Sequence, residues 1–345
     1  MNRELYIHIG YPRTGTTTLR ECLFPNHSEL TDISLDIMNY FFQGKSYDYV
    51  NKPNIILDHR ENAFNRNIDL HKKNLEKILN LKENKNKYIY SEDILITGAM
   101  IFMFKTKPFI CSAEPNSIAR KLKSLFFNTK LFDKVKILIT IRRQDELLKS
   151  FYAELYWLFK SIKETNNFDK FFKYVFIENQ YNFVADALFY YDIIKTYKEL
   201  FGKENIKIFL FEELKYDKDI FLNKLSKAME INFDETKNII GDSKKNVRIF
   251  PSGEYRLNIN LINELSKFIN ENKYINFKFI HKLYKLPPVY NFMNHIKNIA
   301  NINVETIKEL NEEQKKIINE IYTQSNRLLS KEYNLGLEKF GYFDF

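Results

Sequence analysis

The sequence predicts an α/β protein: a parallel, doubly wound sheet with helices on both faces and a helical carboxyl-terminal extension. Three observations predict it. Short β-branched runs alternate with stretches of helical periodicity through residues 1–250. The clearest strand, Val135 to Ile141, is nearly continuous in apolar character and is followed at once by an apolar helical stripe. Beyond about Pro251 the pattern turns mainly helical.

Taken in order, Leu5 to Ile9 reads as a buried strand that stops at Gly10. Leu19, Cys22 and Leu23 recur at helical spacing, so a helix starts near Thr16. Tyr88-Ile89-Tyr90 is a second strand, and Ile118, Leu122, Leu125 and Phe126 mark an amphipathic helix. After the Val135–Ile141 strand come Leu147, Leu148, Phe151 and Leu155 on one helix face. Phe189 to Leu200 is helical and Ile206 to Phe211 is a strand. Near the end, Ile317, Ile321 and Leu328 share a face. Pro287-Pro288 is the sharpest break, and the division expected is a core at 1–250 with a helical extension at 251–345 packed on it.

Composition narrows the function classes. The 345 residues are 44% hydrophobic and 28% charged, which excludes a collagen-like, disordered or disulfide-stapled chain. The 31 Phe and 22 Tyr give ample bulk for a core. With 53 Lys+Arg against 44 Asp+Glu the net charge is +9, but the lysines are spread and mixed with acids and asparagines. Such runs are solvated surface, so no nucleic-acid partner is expected, only a general preference for anions. Two cysteines, Cys22 and Cys111, suit a reducing compartment. The opening residues are too short for a signal-peptide core and no run of about 18 apolar residues exists, so a cytoplasmic protein without a transmembrane segment is expected.

The segment Gly10-Tyr11-Pro12-Arg13-Thr14-Gly15-Thr16-Thr17 follows a strand and opens a helix. Backbone N–H groups at such a junction lack intrahelical partners and carry partial positive charge. Gly15 admits an anion close to the backbone, and Thr16 and Thr17 add hydroxyls, so phosphate or sulfate fits. The Gly10-x4-Gly15 spacing is that of a phosphate-binding P-loop, yet Thr16 stands where lysine belongs and the cation has moved to Arg13. The bland alternative is a turn without a ligand.

Here the chain resembles the PAPS-dependent sulfotransferases, whose first loop reads Tyr-Pro-Lys/Arg-Ser/Thr-Gly-Thr-Thr; Tyr11 to Thr17 fits position by position. The resemblance implies a P-loop core and 3′-phosphoadenosine 5′-phosphosulfate (PAPS) as donor, without a metal. It implies that Tyr11, Pro12, Arg13, Thr14, Gly15, Thr16 and Thr17 hold the 5′-phosphosulfate, with Arg13 stabilising charge on the bridging oxygen. An aromatic that often follows the threonine pair in the small cytosolic members is replaced by Thr18.

The resemblance further implies an arginine at a strand end and a serine eight residues on, gripping the 3′-phosphate; Arg142 and Ser150 fit. Arg142 would emerge at the carboxyl end of its strand, where ligands of open α/β sheets gather. Arg143 is the competing choice, and pairing of both arginines with Asp145 or Glu146 is the plain alternative. In Tyr90-Ser91-Glu92-Asp93 the resemblance implies Glu92 as base, with Asp93 as substitute, although such a cluster is also an ordinary helix start. His8, inside the first strand, reads as a core residue. Glu213, in the strand plus Glu-x-Leu element, is expected to be structural. The resemblance also sets Lys245 and Arg248 in the loop that closes over the cofactor, within reach of the 3′-phosphate, with a solvated basic loop as the equal alternative; the Lys-Gly-x-x-Gly-Asp-Trp loop of the small cytosolic members is missing.

The expected activity is sulfuryl transfer to a hydroxyl or amine of a carbohydrate or glycolipid, the acceptor class following from the Arg13 form of the loop and the glutamate base. Regions 30–80 and 255–300 match no known pattern and are where acceptor choice would lie. Two other readings compete: a P-loop phosphotransferase with a displaced cation, and a non-catalytic anion-binding relative.

Overall fold

The computed structural model describes residues 3–41, 61–80, 86–93, 95–96, 115–160, 162–178, 182–241, 255–257, 306–307 and 309–344. The chain divides into two units: Met1–Leu147 with Gln180–Asn246 and Glu313–Phe345, and Leu148–Asn179 with Val247–Glu312.

The first unit is built on five parallel strands: β1 (Glu4–His8), β2 (Leu30–Asp32), β3 (Lys87–Ser91), β4 (Lys134–Ile141) and β5 (Ile206–Leu210), in spatial order β2-β3-β1-β4-β5. The doubly wound class expected from the alternating pattern is what the chain adopts. Residues 5–8 of β1 and 135–141 of β4 are all buried, the signature of central strands covered on both faces.

The first turn after β1 is α1 (Thr16–Thr18), which runs on into a π-helical turn at Leu19–Leu23. On that face Tyr6, Leu138 and Phe209 pack with Leu19, Leu23 and Phe24 and with Phe221, Leu222 and Leu225 of α11 (Lys218–Met229). α2 (Ser34–Phe41), α3 (Glu61–Arg66) and α4 (Ile68–Asn80) come between β2 and β3. The opposite face is covered by α5 (Pro115–Leu122) and α9 (Tyr190–Phe201), which bury Ile118, Leu122, Ile193, Ile194 and Tyr197.

The division between the units falls within α6 (Gln144–Phe159). In the second unit an aromatic cluster joins that helix to α7 (Phe168–Phe176): Tyr152 stacks on Phe159 and meets Phe171, and its hydroxyl donates to the Thr165 carbonyl. A short antiparallel pair, Tyr255–Arg256 with Thr306–Ile307, also belongs there. The first unit is completed by α8 (Asn182–Asp186), α10 (Phe211–Tyr216), α12 (Phe233–Ile240) and most of α13 (Glu312–Tyr333).

Four details differ from the sequence reading. β1 ends at His8 rather than Ile9, and Phe211 starts α10 instead of ending β5. β2 was not anticipated, because three residues ending in Asp32 carry no periodicity. The buried face of α13 is Ile318, Tyr322, Ser325, Asn326 and Leu329, one residue on from the expected stripe, and Leu328 is exposed.

The polar member Asn326 explains that register. It exchanges amide bonds with Gln144 (Nε2 to Oδ1 2.8 Å, Nδ2 to Oε1 3.1 Å) and donates to the Tyr342 carbonyl at 2.9 Å. All of this is buried, so each lost bond exposes an unsatisfied partner. Asn326→Leu is therefore expected to lower the unfolding free energy by about 2–3 kcal/mol. In urea titrations the double variant Gln144→Leu/Asn326→Leu should lose less than the sum of the singles, because it removes both ends of the pair.

Candidate functional site

The site begins where β1 stops. Its pairing with β4 does not: Ile9 N–H donates to Leu138, Tyr11 N–H to Thr140, and Thr140 N–H to Gly10. The ladder thus carries the first two residues of the loop along β4 to within two positions of Arg142. Tyr11 then anchors the loop from below. Its ring is fully buried, lies edge-on to Tyr190 at 4.9 Å, and its hydroxyl donates to the Ala187 carbonyl at 2.6 Å. Tyr11 is thus an anchor at every polar atom, its N–H bonded to Thr140, its hydroxyl to Ala187 and its carbonyl to the Thr14 hydroxyl.

Beyond Tyr11 the backbone curls. Arg13 (φ 67°) and Gly15 (φ 83°) are both left-handed, with Thr14 between them. Alternating handedness turns successive N–H groups toward one concave side, the geometry of an anion nest. For a non-glycine residue such as Arg13 this conformation costs about 1 kcal/mol or more, a strain of the sort concentrated at working sites. Gly15 is needed for its positive φ, and a Cβ there would press on the end of the Leu214 side chain. Thus the Glu-x-Leu element at α10 is the floor on which the loop rests. Arg13, Gly15 and Thr17 are the partly exposed members of the stretch from Arg13 to Thr18; Thr14, Thr16 and Thr18 are buried.

At the end of β4, Arg142 turns to this loop. Its Nη1 donates to the Arg13 carbonyl at 3.0 Å, its Nη2 meets Glu146 at 3.2 Å, and its guanidinium lies 4.5 Å from the centre of the Phe211 ring. Its own carbonyl accepts from the Tyr190 hydroxyl at 2.6 Å. Arg143 faces another way, clamping both oxygens of Asp145 at 2.7 Å. Its N–H donates to Glu212, which also accepts from the Tyr342 hydroxyl at 2.9 Å, and burial raises the Glu212 carboxyl above its usual range. Glu213 pairs with Lys224 at 2.5 Å. Both adjacent arginines thus pair with acids, but Arg142 also reaches the loop while Arg143 is turned to Asp145.

A second group of side chains gathers at the ends of β1 and β3. Glu92 is buried, and its N–H extends the sheet by donating to the His8 carbonyl at 2.9 Å. Asp93 Oδ2 accepts the Thr16 hydroxyl at 2.9 Å, and Arg20 reaches both acids. His8 lies beneath, edge-on to Phe24, with Nδ1 2.8 Å from the Ser91 hydroxyl. Its Nε2 is buried with no hydrogen-bond partner among the described residues.

The structure thus brings together the Tyr11–Thr17 loop, Arg142, Glu92 and Asp93 within one unit. Ser150 is buried on α6 in the second unit. Lys245 and Arg248 lie outside the described residues. Arg20, Phe211, Leu214 and Tyr190 were not singled out from the sequence. Arg20 carried a usable signal, since four positions after Thr16 on a helix is the same face.

The chain is similar to sulfotransferases. A sulfotransferase from Alicyclobacillus acidocaldarius matches with TM-score 0.42 and 13% identity, over 79% of this chain and 93% of that one. The sulfotransferase domain of the curacin biosynthetic pathway gives TM-score 0.38 and 15% identity, over 68% and 77%. A mouse sulfotransferase, SULT7A1, solved with PAP, gives 0.36 and 14%, over 70% and 64%. No protein-family model and no curated protein matches the chain. Among the described residues no helix is long and apolar enough to cross a membrane.

His8 gives the site a measurable signature. Burial, augmented by the charge of Arg20 and opposed by Asp93, pushes its ring down to about 4 from an ordinary 6.5. Between those values the unfolded chain binds the extra proton, so stability falls as pH drops from about 6.5 toward 4. The loss attributable to this ring is about 3 kcal/mol. Chemical denaturation of His8→Gln across that range should show a correspondingly flatter pH dependence than the parent.

Proposed function

We propose that the protein is a cytoplasmic sulfotransferase that takes its sulfuryl group from PAPS and delivers it to a hydroxyl or amine of a carbohydrate or glycolipid. The observation that carries the reading is the contact of Arg142 with the Arg13 carbonyl, which couples a strand-end guanidinium to an anion-shaped loop. A ligand with phosphate at two positions of one nucleoside suits that pairing. The donor set is N–H, hydroxyl and guanidinium, the chemistry that phosphate and sulfate oxygens require.

When bound, PAPS supplies an activated sulfuryl group. Around it, the loop N–H groups from Thr14 to Thr17 hold the 5′ end, and Arg13 neutralises charge on the bridging oxygen. Thr17 is the better hydroxyl donor of the threonine pair, because the Thr16 proton is committed to Asp93. Arg142 holds the 3′-phosphate and thereby discriminates PAPS from ATP. Glu92, buried at the end of β3, accepts the proton that the acceptor gives up. The carbohydrate class is supported by the arginine form of the loop and by a carboxylate base.

Binding tests this directly. Adenosine 3′,5′-bisphosphate should raise the melting temperature more than 5′-AMP or ATP with Mg²⁺, and EDTA should leave that gain intact. Arg142→Ala should weaken the bisphosphate by about 30-fold, toward the level of 5′-AMP, with 5′-AMP itself little changed. Stronger stabilisation by ATP with Mg²⁺ would favour a phosphotransferase. For Glu92→Gln, near-normal bisphosphate binding with loss of label transfer from radiolabelled PAPS to a glycan panel is expected; undiminished transfer would sink the base assignment.

A further inference from the structure

Two consecutive carboxylates follow β3, and one guanidinium faces both. Arg20 Nη1 lies 3.6 Å from Asp93 Oδ1 and 4.0 Å from Glu92 Oε1. The two acids have different surroundings. The Asp93 side chain keeps 22% of its surface exposed and takes the Thr16 hydroxyl, whereas Glu92 keeps 2%. From β1 the cluster is faced by His8, which is uncharged at neutral pH because burial pulls its titration down to about 4. Arg20 from the helix, Asp93 alongside and His8 from the neighbouring strand are titratable groups near Glu92, with the Ser91 hydroxyl on His8.

Elementary electrostatics gives Arg20 a task. A carboxyl that is buried and beside a second carboxylate is driven toward its neutral form by both influences, and an adjacent cation opposes both. Asp93 meets solvent and the Thr16 hydroxyl; Glu92 lies deeper, with the guanidinium at one of its oxygens. The side chain that supplies it projects from the π-helical turn directly after the loop helix, and such turns recur at functional positions.

We propose that Arg20 is a positioning residue that keeps Glu92 ionised and fixed at the end of β3, so that it can take a proton from the acceptor. This rests on the reading of Glu92 as the base. In the transfer the acceptor O–H or N–H bond breaks and its proton ends on a Glu92 carboxylate oxygen; the freed electron pair forms the new bond to sulfur, while the bond from sulfur to the bridging oxygen breaks and adenosine 3′,5′-bisphosphate leaves with the pair from that bond. A neutral Glu92 has no capacity for that proton, so the ionisation state of this one side chain sets the acid limit of transfer.

The test reads the carboxyl group itself. In protein carrying isotope-labelled glutamate, the side-chain carboxyl resonance lost in Glu92→Gln is followed by NMR as pH is varied. In Arg20→Gln its midpoint should rise by about one pH unit or more, and Arg20→Lys should bring it most of the way back. Arg20→Met, which keeps the apolar stem, carries the same expectation should Arg20→Gln fold poorly. A midpoint that stays put in a folded Arg20 variant overturns the proposal.

The pH dependence of label transfer separates the proposal from the reading beneath it. If the acid limb moves upward with the resonance, both stand. If the resonance moves while the limb does not, Arg20 governs Glu92 but Glu92 is not the base. A uniform rate loss at every pH with an unmoved resonance leaves Arg20 a scaffold residue and refutes the proposal.

Discussion

The arrangement of the site depends on one constraint: the pairing of β1 with β4 continues past the end of β1 into the loop. The Tyr11 N–H bond to Thr140 and the Thr140 N–H bond to Gly10 are ordinary ladder bonds, but they occur where the chain is already turning. Because parallel strands keep a fixed register, the loop cannot slide relative to β4 without breaking them. The position of Arg142 relative to Arg13 is therefore set by backbone geometry before any side chain takes part. The Tyr190 hydroxyl, bonded to the Arg142 carbonyl while its ring meets Tyr11, ties the same two segments together from the helical layer.

Charge is partitioned around the loop in a way that follows from this frame. At the β4 end a cation is held in place by an acid, Arg142 by Glu146; at the β3 end two acids are held by a cation, Glu92 and Asp93 by Arg20. The first grouping suits a phosphate and the second suits a proton acceptor. They lie beyond strands on either side of β1, with the loop between them. A carboxylate beside an anion nest would ordinarily repel the ligand, and the Thr16 hydroxyl and Arg20 guanidinium reduce that cost by occupying Asp93.

The legible part of this in the sequence was the part written in local pattern. Continuous apolar runs marked β1, β3, β4 and β5, and a glycine, a cation and paired threonines marked the loop, because each needs only neighbours in the chain. What escaped depends on partners far away. The face of α13 turns on Asn326, whose amide partner Gln144 is 182 positions distant, so hydrophobic spacing alone picked the stripe one residue early. β2 is too short to show a period. His8 read correctly as buried, but its link to Ser91 and its closeness to Arg20 and Asp93 exist only once β1 and β3 are paired. Leu214 under Gly15 is of the same kind: the Glu-x-Leu element was visible, and its contact was not.

Why position 142 carries arginine, where another cation would serve a phosphate, can be read from its three simultaneous contacts. A carbonyl, a carboxylate and an aromatic face surround the group, at 3.0 Å, 3.2 Å and 4.5 Å. A planar guanidinium offers in-plane N–H bonds to the first two while its face rests on Phe211. An ammonium is a compact point charge on a flexible stem; it could meet the carbonyl or the carboxylate, but it has no plane to stack and no fixed direction. The guanidinium is thereby oriented by the folded chain rather than by a ligand, and little of its freedom remains to be lost on binding. Preorganisation of that kind is what the proposed phosphate contact requires of a residue already satisfied within the protein.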